Sequence, residues 1–202
     1  TGRPVREYSA PDGVHPQPQT SRILEDLGFV AYYYTGDSGS APNRSFHEGR
    51  MLSDRLVAFP ILTLGPVASI GEMLFAPDVT PARARAWLNE VTDYCERHRT
   101  IRLIYSHPYD LALAPGAPAY AEVWRTWIDD LAARQAAGRQ QVRPMSEYAD
   151  FLLRMLATEA TWTRDGNRLH VSLRNPDGLR DLALALPRGV YQLVDRPEVR
   201  VE

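Results

Sequence analysis

The sequence contains no lysine: all 23 of its basic residues are arginine. The two differ in chemistry only at particular sites, so a chain-wide bias reflects G+C-rich coding and points to a bacterial source rather than to function. Cysteine is nearly absent too. The single Cys95 excludes an internal disulfide and a cysteine zinc cluster, and leaves the redox compartment open. No run approaches the roughly 18 consecutive apolar residues of a membrane span, and the first residues lack the charged-then-apolar pattern of a secretory leader. No membrane span is expected. The formal charge is only -2 with no basic run, so the clustered arginines that duplex binding needs are missing and no nucleic-acid partner is expected.

What is present is an ordinary globular composition, 44% hydrophobic over 202 residues, enough to bury a core. Residues 4–11 read as a short extended run ending in a turn at Pro11, Asp12 and Gly13. Thr20 stands where an N-cap belongs, with Ile23, Leu24 and Leu27 on one helical face and Gly28 beyond, which predicts a helix over 20–27. The run 29–34 is continuously apolar and aromatic, as in a strand buried on both faces. The segment 36–52 has no periodicity and holds Asp37, Asn43, Arg44, His47 and Glu48, a suitable place for binding chemistry. Residues 57–64 read as a strand that Pro60 demotes to an edge or bulge.

Thr80–Pro81 opens the clearest helix, with Ala84, Leu88, Val91 and Cys95 on one face, so Cys95 is expected to be a buried, unreactive core residue. Residues 101–106 read as a strand ending at His107. A helix lined by Tyr120, Val123, Trp124, Trp127 and Leu131 follows and stops at Gly138. Ser146 is read as the cap of a last helix carrying Tyr148, Phe151, Leu152, Met155 and Leu156. From about residue 158 the period changes to two. A hairpin around Asp165–Gly166 turns Leu169, Val171 and Leu173 inward and Arg168, His170 and Ser172 outward, and further short strands follow.

Alternating strands and helices followed by antiparallel strands predict an α/β chain. In such folds chemistry sits at the carboxyl ends of parallel strands. Those ends bring forward Asp12, Asp37 and His107, whose imidazole titrates near neutrality and suits proton transfer, with Asp110 near enough in sequence to orient it. The run Gly36-Asp-Ser-Gly-Ser-Ala-Pro42 has the look of a serine-protease nucleophile loop. It is rejected, because too little chain precedes it to carry the His and Asp in the required order.

Tyr8-Ser-Ala-Pro-Asp-Gly13, the helix ending Leu27-Gly-Phe29, the strand running to Asp37, Leu103-Ile-Tyr-Ser-His-Pro108 and Arg143-Pro-Met-Ser-Glu-Tyr-Ala-Asp-Phe151 together resemble the later half of the polysaccharide deacetylases with the nodulation-type homology domain. The resemblance covers about residues 5–155. It implies a partial distorted (β/α) barrel over 1–157 with a small carboxyl-terminal antiparallel β unit over 158–202. It also implies a metal-dependent carbohydrate esterase that hydrolyses acetyl groups from a sugar polymer, in a periplasmic or extracellular setting. By the same resemblance His107 is the general acid that protonates the leaving amine, Asp37 is the second catalytic residue, and Pro11, Asp12, Tyr105 and Tyr109 bind substrate.

The family's aspartate pair and His-x-x-x-His, which supply its metal ligands and base, are not in these residues. The divalent metal, zinc in most of the family, is therefore expected to find its ligands outside this chain. The chain opens on Thr directly into strand-like sequence, so the expected partner besides the glycan is a missing amino-terminal half or a second copy. Ser9 replaces the family's Arg that orients the catalytic aspartate, no groove-lining Trp follows Asp37, and Tyr105 replaces the acetyl-pocket Leu. Ser9 favours the alternative, a non-catalytic carbohydrate-binding or scaffold domain on a degenerate deacetylase fold, and the retained His107 favours the enzyme.

Overall fold

A computed structural model describes residues 2, 4–10, 13–14, 18–35, 40–73, 76–107, 117–186 and 189–201. The chain is mixed α/β, with helices and several small sheets, and it divides into two compact units, Thr1–Met145 and Ser146–Glu202. That division falls one helix earlier than the expected 157/158 boundary. Among the described residues no sheet closes on itself.

The first unit is built on a four-stranded sheet in the order β1-β2-β6-β3, from β1 (Glu7–Ser9), β2 (Ala31–Tyr34), β6 (Val57–Pro60) and β3 (Asn43–Arg44). β1, β2 and β6 run parallel and β3 is antiparallel. β2 is the buried strand its composition predicts, with Ala31 and Tyr32 at 1% exposure or less, because partners flank it on both sides. β6 is interior rather than at an edge, which corrects the reading of Pro60. The amides of Val57 and Ile61 donate toward β2, to Val30 O and Tyr34 O, so alternation turns the nitrogen of Pro60 toward β3. β3 reaches only as far as Ala58. The missing N–H therefore removes no ladder bond.

The segment read as a loop after residue 36 holds β3 and a small hairpin of β4 (Phe46–His47) and β5 (Arg50–Met51). Its two turn residues, Glu48 at φ 48° and Gly49 at φ 75°, both take the left-handed conformation of a type I′ turn, whose twist matches the flanking strands. The strand expected over 101–106 is reduced to one parallel bridge, Leu103 against Ile61, with Leu62 N donating to Leu103 O at 2.9 Å.

α1 (Gln19–Asp26) packs Leu24 against Tyr32 and Leu56. It begins one residue before Thr20, so Thr20 lies inside the helix, while Gly28 takes the expected left-handed φ of 79°. Under it Ser45 Oγ bonds both Tyr32 Oη and Ser21 Oγ, so these buried hydroxyls satisfy one another. A second core joins α2 (Ile70–Met73), α3 (Pro81–His98) and α4 (Ala117–Ala136) through Ile70, Met73, Leu88, Tyr120, Val123 and Trp127. α3 starts as its sequence predicts, with Thr80 Oγ1 accepting from Arg83 N and Pro81 first. Its buried stripe is Ala84, Leu88 and Thr92, one step round from the expected face. Cys95 is only half-buried, which corrects its placement in the core.

In the second unit α5 (Met145–Ala157) begins at Met145, so Ser146 lies in its first turn rather than at the cap. Ala149 and Leu152 are its buried residues, whereas Met155 and Leu156 are exposed at 44% and 40%. β7 (Glu159–Asp165) and β8 (Arg168–Arg174) form the hairpin, and β11 (Glu198–Val201) pairs on the far side of β8. The two turn residues are Gly166 and Asn167, one step beyond the expected centre, with Gly166 at φ 56°. β9 (Ala183–Leu186) and β10 (Gly189–Gln192) make a separate antiparallel pair. Val171, Leu173, Leu179 and Leu182 form the core, joined by Phe151 from α5. The β unit therefore leans on its own helix.

Candidate active site

Because β1, β2 and β6 are parallel and the Leu103 segment follows β6 in the same direction, the residues leaving these elements gather on one rim of the sheet. From β1 come Ser9 and Ala10, from β2 Tyr33 and Thr35, and from the Leu103 segment Tyr105 and His107. Gly13 N donates to Ala10 O, and Gly13 O accepts from Thr35 N at 3.2 Å. A Cβ at Gly13 would stand 2.8 Å from Thr35 Cγ2 and 2.9 Å from Thr35 N, at φ 65°. Only glycine lets the chain leaving β1 come so close to the end of β2.

The side chains of this rim form a connected series. Ser9 Oγ donates to Tyr33 Oη at 2.7 Å, and Tyr33 Oη donates to Ala10 O at 3.2 Å. The Tyr33 ring lies 5.3 Å from that of Tyr105, tilted by 43°. Tyr105 in turn meets His107 edge-on at 4.8 Å and 77°, with Tyr105 Oη hydrogen-bonded to His107 Nε2. Between them Ser106 Oγ is buried without a hydrogen-bond partner.

The backbone under Tyr105 is held from α2. Ser69 Oγ accepts from Glu72 N while Glu72 Oε2 accepts from Ser69 N and Ala68 N, the reciprocal arrangement of a capping box. This leaves Ile70 N, in the first turn, to donate to Tyr105 O at 3.2 Å.

Of the residues singled out in the sequence, the structure brings Tyr105 and His107 together. Pro11, Asp12, Asp37 and Tyr109, and with them Asp110, lie outside the described residues. Ser9, read only as a departure from the family's Arg, spends its hydroxyl on Tyr33. Tyr33 itself was legible only as one aromatic in a buried strand, although a tyrosine near a strand's carboxyl end is a signal in its own right. The segment carrying Asn43, Arg44, His47 and Glu48 contributes no cluster. Asn43 Oδ1 accepts from Arg44 N, Glu48 forms a turn, and Arg44 Nε is buried without a hydrogen-bond partner.

Among the described residues no group of three or more His, Cys, Asp or Glu is arranged to hold a metal ion. The described donors on this rim are hydroxyls and one imidazole, which by themselves do not fit a resident zinc site. A shallow cleft of about 610 Å³ lies elsewhere, between α3 and α4, lined by Pro81, Arg85, Asn89, Ala119 and Glu122. It contains none of the rim residues and no nucleophile or imidazole. No described helix is long and apolar enough to cross a membrane. Comparison with protein-family models, with curated proteins and with solved structures returns no match.

Proposed function

We propose that the chain is the carboxyl-terminal portion of a metal-dependent, polysaccharide deacetylase-like carbohydrate esterase on a partial distorted (β/α) barrel. The observation that carries this reading is an imidazole, His107, on the carboxyl rim of parallel strands with its ring held by a neighbouring tyrosine. That is where a proton donor to a departing group belongs.

Deacetylation exchanges the acetamide C–N bond for a C–O bond to water, and the amine leaves with a proton while acetate is released. In this reading the protonated imidazole of His107 supplies that proton, Asp37 is the second catalytic residue, and Pro11, Asp12, Tyr105 and Tyr109 bind the sugar. The residues described here do not fit a zinc ion, so its ligands and the base that activates water come from outside them, and no step is derived through the metal. Ser9 favours a second reading, a non-catalytic glycan-binding domain, since a hydroxyl committed to Tyr33 cannot orient an aspartate as an arginine does.

Acetate release from an acetylated chitooligosaccharide, assayed with the product of the complete reading frame, separates the two. Turnover that is lost both in His107→Gln and with a chelator supports the esterase. Glycan binding by calorimetry without any acetate release supports the binding domain.

A further inference from the structure

We infer that the outer edge of β7 is the contact by which the chain pairs with a second copy of itself, antiparallel and centred on Trp162. The inference does not depend on the proposed catalytic function. Gly166 and Asn167 are the two residues of the hairpin turn, so Asp165 and Arg168 beside them exchange both backbone hydrogen bonds. Thr163, Thr161 and Glu159 repeat this at every second position. Ala160, Trp162 and Arg164 therefore aim their N–H and C=O groups away from β8. The sheet order β11-β8-β7 ends there, and among the described residues nothing pairs with that side.

All seven residues of β7 are exposed, and the devices that usually close an edge are missing. The register with β8 runs without a bulge, no proline interrupts the strand, and Arg164 is drawn to the turn, its Nε donating to Gly166 O at 2.9 Å. Such an edge is completed by another strand. Trp162 points to which one. It stands opposite Val171, on the same face as Leu169 and Leu173, the face that carries the core. Val171 and Leu173 are 8% and 6% exposed there, whereas Trp162 is 70% exposed. The core covers β8 and stops short of β7.

A two-fold axis perpendicular to the sheet at Trp162 completes the edge and covers the indole in one operation. Trp162 then faces its own symmetry mate, Ala160 faces Arg164, and every outward N–H and C=O of these residues finds a partner. On the other face Thr161 meets Thr163, a favourable cross-strand pair. The two core faces come to lie on one side of a continuous sheet, with each indole against the other. The one unfavourable pair is Glu159 against Asp165 at the strand ends. An edge this short buries little area, so the dimer is a weak one, populated at high micromolar rather than nanomolar concentration.

The test uses the 202-residue chain carrying Cys95→Ser, so that the only thiols are those introduced. Small-angle X-ray scattering over a series reaching millimolar concentration is expected to show a monomer–dimer equilibrium. Ala160→Pro should weaken it about tenfold, because the missing N–H lies on the outer side and takes nothing from the ladder with β8. Glu159→Gln should tighten it severalfold. Thr161→Cys mixed with Thr163→Cys should oxidise to the mixed disulfide in preference to either symmetrical one, since centring on Trp162 sets 161 against 163. A chain that stays monomeric throughout, a dimer that Ala160→Pro leaves unchanged, or a preference for symmetrical disulfides overturns the inference. Should Ala160→Pro fail to fold, the disulfide preference decides alone.

Discussion

Ser106 stands between the two residues of the Tyr105–His107 pair with its hydroxyl buried and unbonded. A buried hydroxyl without a partner costs on the order of 1 to 3 kcal/mol relative to a satisfied one. Ser106→Ala should therefore raise stability by about 1 kcal/mol in urea unfolding of the ligand-free chain. A loss of stability would show that the hydroxyl has a partner in solution. Cys95 is a second case in which single-residue physics departs from pattern. Burial pushes its thiol up and Arg102 offsets part of that rise. Half-exposed but poor in thiolate, it should react slowly with iodoacetamide at neutral pH and faster as pH rises. The same shift sets a sign for stability. The folded thiol holds its proton where the unfolded one has lost it, so this contribution is complete below the ordinary thiol range and declines as pH climbs through it toward the raised value. Denaturation midpoints of Cys95→Ser should lack that component of the alkaline decline.

At the scale of elements, the ends and joints carry the informative interactions. Arg134 of α4, 13% exposed, binds Asp93 and Glu96 of α3 and Asp130 of its own helix, all at 2.7 to 2.8 Å. Burial works against its charge, but the bonds from Asp93, Asp130 and Glu96 more than offset this, and its pKa is raised. Trp127 Nε1 donates to Thr92 Oγ1 along the same seam, and Gln140 Nε2 donates to Thr92 O. Arg134→Met should cost about 1 to 2 kcal/mol, since it leaves a set of half-exposed carboxylates facing one another. Restoration of stability at high salt, where their repulsion is screened, would mark that cause.

Much of this layer could be read in advance. Thr80–Pro81 starts α3, Gly138 follows α4 at φ 69°, and the face of Tyr120, Val123 and Trp127 is the one buried. The elements that escaped are those decided by neighbours. β6 tolerates Pro60 because β3 stops short of it, and residues 101–106 keep their place beside β6 through a single bridge. No periodicity in either segment records that.

At the scale of the whole molecule, the chain divides into two compact units between Met145 and Ser146. Asn175 is the keystone of the second unit. Fully buried, it donates Nδ2 to Arg154 O and Thr158 Oγ1, accepts from Asp177 N at Oδ1, and its backbone N–H donates to Pro197 O. One amide thus joins the end of α5, the turn after β8 and the approach to β11. Asn175→Ala should destabilise the unit by about 2 to 3 kcal/mol, because it orphans several buried groups at once. In hydrogen exchange the loss of protection should fall within residues 146–202 and leave the α3–α4 layer unchanged. Spread of the effect into that layer would show that the two units unfold as one.

The sequence by itself determined the start of α3 at Thr80–Pro81, the glycines that follow α1 and α4, and the alternation of β8, because those signals are local and depend only on backbone and side-chain chemistry. Tertiary structure alone decided that Pro60 sits in an interior strand and that Asn175 binds α5 to its β unit. It also decided that Ser9, Tyr33 and Tyr105, separated by 24 and 72 residues along the chain, stand in line behind one imidazole. Parallel pairing brings residues distant in sequence to a common rim, and no local pattern encodes which of them will meet there.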